Sequence, residues 1–228
     1  MIPVYIGFDP REEAGSHVFS SSLIHNASRP VSIIPLHLDL FSAFYGAGQR
    51  DGTNSFIYTR FLIPFLQDFK GWALFVDGAD MLMKGDISEL WALRDHYKAV
   101  QVVKHSYTTK HPRKYVGTKM EAPNEDYTCK NWSSVMLINC GHFQWREMTP
   151  EKVAKMSGAD LHRFNWMPSE LVGNLPMEWN WIADELGPNP EAKLIHWTAG
   201  TPAFPHYKDS PHAEDFRSQL AKVNHVTD

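Results

Sequence analysis

Short apolar runs recurring between helix-patterned stretches restrict the fold of this chain more than any other feature. The strand-like runs are residues 4–8, 32–36, 73–76, 99–104, 135–138 and 193–196. Most are rich in Val, Ile, Leu or Phe without polar alternation, as strands buried on both faces are. Helical patterns lie between them at residues 17–25, 58–69, 87–93 and 150–156. Asp86, with Glu89 three residues on, reads as an N-cap for the third of these. Alternation of this kind predicts an α/β fold with a mostly parallel central sheet and helices on both faces. No internal repeat, low-complexity tract or long Pro/Gly linker interrupts the 228 residues, so residues 1–228 read as one domain.

Composition excludes several classes. With 43% hydrophobic and 13% aromatic residues, the chain is built to bury a core rather than to stay disordered. A net charge of -4 and a pI near 6.3 supply no global basic field for nucleic acid or an anionic membrane. The local basic stretch Lys110-His111-Pro112-Arg113-Lys114 has no accompanying aromatic series and reads as a solvated loop. The two cysteines, Cys129 and Cys140, make no C-x-x-C pair, which leaves zinc and redox motifs unsupported and a disulfide between them open. The start Met1-Ile2-Pro3-Val4-Tyr5-Ile6 has the character of a strand, not of a signal peptide. No apolar run reaches the ~18 residues that a membrane span requires. These features predict a soluble, cytoplasmic protein.

Open α/β sheets bind ligands beyond the carboxyl ends of their strands. The polar residues at strand exits are Phe8-Asp9, Asp77 with Asp80, Lys104-His105, and His196. Asp77-Gly78-Ala79-Asp80 by itself reads first as a turn, because Asp-Gly is a common turn dipeptide. His196 alone reads as a core histidine. Together, two carboxylates and an imidazole converging on one sheet edge form a three-point cage for Mg2+ or Mn2+, which would grip a diphosphate as it leaves. No G-x-G-x-x-G follows the first strand, where Gly7-Phe8-Asp9-Pro10-Arg11-Glu12 stands, and there is no G-x-x-x-x-G-K-[ST] loop. Phosphates would therefore be held by a cation and basic side chains, a pattern of sugar-nucleotide transferases.

Five stretches, in order, resemble glycosyltransferase family 8, the glycogenin and lipopolysaccharide galactosyltransferase type. They are YTRFLIPFL at residues 58–66, FVDGADMLMKGDISELW at 75–91, SSVMLIN at 133–139, Trp179-Asn180, and HWTAG at 196–200. Residues 130–142 (KNWSSVMLINCGH) and 161–181 are similar to small bacterial and phage proteins of that superfamily. The resemblance implies a GT-A fold and transfer of a sugar, with Mn2+ and retained anomeric configuration, from a nucleotide-diphosphate donor such as a UDP-sugar. The acceptor would be a hydroxyl on a glycan, a lipid-linked sugar or another molecule. It also implies that Asp80 and His196 bind metal, that Phe8 and Asp9 lie at the donor base, and that Arg60 holds ribose, phosphate or sugar.

The chain departs from the family pattern in four places. The first Asp of D-x-D falls on Gly78, so the motif reads D-x-x-D and Asp77 must reach metal or ribose through a bulged turn. Trp132 replaces the Asn of the family's N-S-G. The Lys that follows H-x-x-G is absent, with Thr201-Pro202-Ala203-Phe204 in its place. The D-Q pair is missing too, which makes Glu170 a substitute catalytic acid. Arg60, Asp80 and Glu170 are thus the expected catalytic set, and Asp77, Asp80 and His196 the metal set. Phe8, Asp9, Arg60, Asp77, Gly78, Lys104 and Gly200 are the expected donor contacts. His162-Arg163 is a further candidate for phosphate or acceptor, and Trp132, Trp166, Trp179 and Trp181 read as core or, less favoured, as a sugar-stacking rim. A non-catalytic sugar-nucleotide binder and a metal-dependent nucleotidyltransferase stay open as alternatives.

Overall fold

β1 (Ile2–Gly7) begins a computed structural model that describes residues 1–41 and 56–224. α1 (Glu13–Asn26), β2 (Val31–Leu36), α2 (Ile63–Leu66), β3 (Trp72–Val76), β4 (Met81–Met83), α3 (Ile87–Ala92) and β5 (Val100–Val102) follow. A small hairpin of β6 (Arg113–Lys114) and β7 (Ala122–Pro123) precedes β8 (Val135–Asn139), α4 (Pro150–Lys155), α5 (Gly158–His162) and β9 (Val172–Asn174). The described chain ends with β10 (Trp181–Ile182), α6 (Ala183–Leu186), β11 (Leu194–His196) and α7 (Ala213–Val223).

The central sheet has six strands in the order β2-β1-β3-β8-β5-β9, and β8 alone runs antiparallel to its neighbours. Side chains alternate across it with the period of two that a pleated strand imposes. Val4, Ile6, Leu74, Val76, Val135 and Leu137 enter one buried cluster with Phe19 and Leu23 of α1 and Ile87 and Leu90 of α3. Tyr5, Phe75, Met136 and Ile138 enter another with Phe61, Ile63, Val153 and Leu161. Helices therefore cover both faces, as predicted. Each such side chain contributes about 1.5–3 kcal/mol by leaving water.

Two expectations change and one open question closes. The helix expected over residues 58–69 is a 3-10 turn, Thr59–Leu62, continued by the short α2. Pro64 sits in its first turn, where a missing N–H is tolerated, and Asp68 and Phe69 end it at φ 52° and 51°. His196 does not leave the central sheet. Its strand belongs to a second sheet, β10-β11-β4, in which β11 runs antiparallel to β4. β11 lies within the expected run 193–196, whereas β4 and β10 are too short to stand out as apolar runs. Cys129 and Cys140 are both free thiols, so no disulfide joins them.

Candidate active site

The chain reverses from β3 into β4 across Asp77-Gly78-Ala79-Asp80. The Ala79 N–H donates to the Asp77 carbonyl (2.9 Å) and the Met81 N–H to the Gly78 carbonyl (3.2 Å). Gly78 has φ +80°, where a β-carbon is disfavoured, and a Cβ there would also press to 3.3 Å from Ile6. The turn reading of this tetrapeptide is correct, and the turn is what gathers the acids. Register adds the third group: His196 pairs with Met81, and the Trp197 N–H donates to the Asp80 carbonyl at 2.9 Å. One ligand atom from each of Asp77, Asp80 and His196 lies within 4.8 Å of the others.

The residues present fit a hard divalent cation. Asp80 Oδ1 is buried and has no hydrogen-bond partner among the described residues. Burial raises the Asp77 carboxyl to about 6; Arg60 opposes that shift and Asp80 adds to it. His196 Nε2 lies 3.3 Å from Asp80 Oδ2, and its Nδ1 lies 2.9 Å from Asn180 Oδ1. Burial pulls the His196 pKa down, but Asp80, Asp77 and Asp184 outweigh it and the net shift is upward. The Asn180 amide nitrogen donates to Ser134 Oγ (2.9 Å) and to the Asn131 carbonyl (3.2 Å), so its oxygen faces the imidazole. His196 then donates from Nδ1, and its Nε2 lone pair points at the acids, the arrangement a metal ligand requires.

Arg60 is buried beneath the same turn. Its Nη1 lies 2.7 Å from Asp77 Oδ1 and donates to the Ser133 carbonyl at 2.9 Å, while the guanidinium stacks 4.6 Å from the Phe75 ring centre. The side chain braces Asp77. Both residues line a cavity of about 630 Å3 with Lys114, Tyr127, Asn131, Ser133, Ser134, His162, Arg163 and Thr198. His162 Nδ1 is 2.6 Å from Ser133 Oγ, and burial, Arg60 and Lys114 hold its pKa well below the ordinary value. The expected pair His162-Arg163 thus reaches the cavity wall.

Other expected residues are placed differently. Asp9 is buried and accepts from the Arg11 N–H (3.0 Å) and Nε (2.9 Å), capping the turn Pro10–Glu12. Phe8 meets the His37 ring at 5.5 Å, and the Lys104 ammonium lies 5.5 Å from the Trp132 ring centre. Gly200, at φ +153°, lets Tyr207 approach where a Cβ would stand 2.3 Å from its ring. None of these four is among the residues that line the cavity. Glu170 is exposed on the turn Ser169–Leu171 that leads into β9. It sits at the amino end of that strand, across the sheet from Asp77, and is not a substitute acid at this site. The four tryptophans do not form a rim. Trp179 is fully buried in the core, Trp166 packs 4.8 Å from Trp145, and Trp132 and Trp181 donate to the carbonyls of His105 and Gly187.

Three residues near the site carried little signal. Lys114 belongs to the basic stretch taken for a solvated loop, yet it turns into the cavity. Glu12 is buried, and burial, Asp80 and Asp9 raise its carboxyl to about 8. Gly15 of α1 allows the Ala79 carbonyl to lie where a Cβ would be only 1.8 Å away.

The fold is of the GT-A type, as in several solved glycosyltransferases. The chain is similar to apo WbbM, a bifunctional glycosyltransferase, with TM-score 0.70 and 17% identity over 98% of this chain and 50% of that one. It thus spans half the length of that neighbour. It is also similar to GlyE of Streptococcus pneumoniae TIGR4 (TM-score 0.61, 14% identity, 98% of this chain and 63% of that one). The galactosyltransferase LgtC, solved with donor and acceptor sugar analogues, aligns with TM-score 0.58 and 14% identity over 100% of this chain and 98% of its own. No family model matches the chain. By sequence, the chain belongs to the family of Protein CDI of Arabidopsis thaliana, with 37% identity over 230 residues, 97% of this chain and 86% of the relative.

Proposed function

We propose that this protein is a glycosyltransferase that moves a sugar from a nucleotide-diphosphate donor, read as a UDP-sugar, to an acceptor hydroxyl with retained configuration. The observation that carries the reading is the Asp77–Asp80–His196 cluster beside the cavity. Those three residues would hold Mn2+ or Mg2+, which when bound supplies positive charge against a departing diphosphate. Arg60 keeps Asp77 in place, and Asn180 keeps Nε2 of His196 turned toward the acids. The bond from the anomeric carbon to the diphosphate oxygen breaks as the bond to the acceptor oxygen forms. An acceptor on the leaving-group face passes its proton to a phosphate oxygen, so no dedicated protein base is required, and positioning supplies much of the rate.

A thermal-shift panel of sugar nucleotides with and without Mn2+, followed by a donor-hydrolysis assay, tests this. The expected result is stabilisation by one donor only when the cation is present, with slow release of a nucleoside diphosphate, and loss of both in Asp80→Asn. Release of pyrophosphate would identify a nucleotidyltransferase instead. Donor binding with no turnover under any acceptor would identify a non-catalytic binder. An Asp80→Asn protein with full, metal-requiring activity would overturn the assignment.

A further inference from the structure

Several polar groups that line the cavity are engaged within the protein. Arg60 is committed to Asp77 and the Ser133 carbonyl. The Lys130 ammonium donates to Asn124 Oδ1 (2.9 Å), the Glu125 carbonyl (2.9 Å) and Asp126 Oδ1 (3.4 Å), which uses its three protons. Thr198 Oγ1 donates to Asp184 Oδ2 (3.2 Å), and Asn131 Nδ2 to the Tyr107 hydroxyl (2.6 Å). His162, the last residue of α5, differs because only one of its two ring nitrogens is engaged.

Nδ1 of His162 lies 2.6 Å from Ser133 Oγ, and the ring meets Phe61 edge-on at 5.3 Å, so two contacts fix its plane. Ser133 is buried, and its carbonyl accepts from the same Arg60 that braces Asp77. The imidazole is thereby tied to the wall that carries the metal cluster. Its Nε2 has no protein partner among the described residues and is not sealed from solvent, so it opens on the cavity. Gly158, Ala159, Ser133 and Ser134 line the cavity with it, and their small side chains leave space for a bulky ligand.

Burial, Arg60 and Lys114 keep the imidazole neutral, so it brings no charge for a phosphate. With Nδ1 engaged, Nε2 presents one donor or one acceptor according to the tautomer, and a hydroxyl pairs with either. The sugar is the hydroxyl-rich group joined directly to the diphosphate, and that diphosphate would sit at the cation held by Asp77. We propose that His162, held by Ser133, binds a hydroxyl of the transferred sugar and so sets which donor sugars the cavity accepts. This rests on the sugar-transfer reading above. A site built to hydrogen-bond a hydroxyl discriminates against the analogue that lacks it.

The test is calorimetric titration of the Mn2+-loaded protein with UDP-glucose, UDP-galactose, UDP-N-acetylglucosamine and GDP-mannose. The tightest binder is then compared with its free nucleoside diphosphate and with its monodeoxy-sugar analogues. Wild type should bind one deoxy analogue about three- to tenfold more weakly than the parent, the range of one hydrogen bond. His162→Phe should bind the parent donor that much more weakly and lose the discrimination, while the nucleoside diphosphate stays within about twofold. The milder Ser133→Ala, which frees Nδ1 and keeps the imidazole, should lower the discrimination in the same sense. Discrimination retained in both variants would overturn the proposal, as would its absence in wild type. Equal weakening of donor and nucleoside diphosphate would overturn it too, since that marks a structural role or a contact with ribose or phosphate. If wild type binds none of the four donors with Mn2+, the sugar-transfer reading falls first and this inference falls with it.

Discussion

Asn180 holds His196 by a single contact, Oδ1 to Nδ1 at 2.9 Å, and is itself held by Ser134 and Asn131. The imidazole cannot flip or change tautomer without breaking that chain. Removing such an outer partner commonly costs 10–100-fold in metal affinity, so Asn180→Ala should weaken Mn2+ binding by about that factor. Asn180→Asp keeps an acceptor for Nδ1 and should stay within about threefold of wild type. Titration with Mn2+ followed by electron paramagnetic resonance reads both variants. Equal losses in the two would mean that Asn180 supports the fold and not the imidazole.

Gly15 makes a prediction whose sign runs against helix propensity. Replacing Gly by Ala in a helix ordinarily stabilises by about 1 kcal/mol. Here the new Cβ would stand 1.8 Å from the Ala79 carbonyl oxygen, a contact with backbone that cannot rotate away. Overpacking of this kind costs about 1–3 kcal/mol, so the clash wins. Gly15→Ala should lower the urea midpoint and weaken Mn2+ binding together, because α1 would be levered off the turn that carries both acids. A more stable variant with unchanged metal affinity would refute the contact.

What could be read in advance divides along physical lines. Val4, Leu74 and Val135 lie in apolar runs of four or five residues that alternate with helical patterns, so the central sheet and its covered faces were legible. The Asp80–His196 pairing was legible as well, through strand exits and the order of motifs. β4, β10 and β9 were not: each has only two or three residues, too few to show a period of its own. Lys114 was misjudged because its orientation depends on the left-handed Tyr115 and a hydrogen bond to Ala199, far away in sequence. Glu170 was misjudged for the converse reason. Its nearness to the W-N motif in sequence placed it at the site, whereas the strand it precedes puts it at the opposite edge.

The cap at Asp86 was legible and now has a magnitude. Its Oδ1 accepts from the Ser88 N–H at 2.9 Å and from the Ser28 N–H at 3.2 Å, so one carboxylate starts α3 and anchors the segment after α1. Loss of a side-chain cap costs about 0.5–2 kcal/mol, and the second acceptor role places Asp86→Ala toward the upper end. Asp86→Asn retains an acceptor oxygen and should lose less. Chemical denaturation of the two variants would show the difference, and equal stability of Asp86→Ala and wild type would count against the cap.

His105 makes folding depend on pH. It is buried, its Nε2 has no hydrogen-bond partner among the described residues, and burial together with nearby His196 lowers its pKa from 6.5 to about 3. The unfolded chain therefore takes up a proton near pH 6.5 that the folded chain refuses until about pH 3. The neutral ring is fully compatible with the fold above pH 6.5, and stability falls as pH drops through that window. The slope attributable to this group is about 1.4 kcal/mol per pH unit. His105→Leu, which fills the site without a titrating atom, should show a pH profile shallower than wild type by that amount between pH 6 and pH 4, roughly the middle of the window. Urea midpoints measured across that range decide it: parallel profiles for the two proteins would mean that His105 is protonated in the folded state after all.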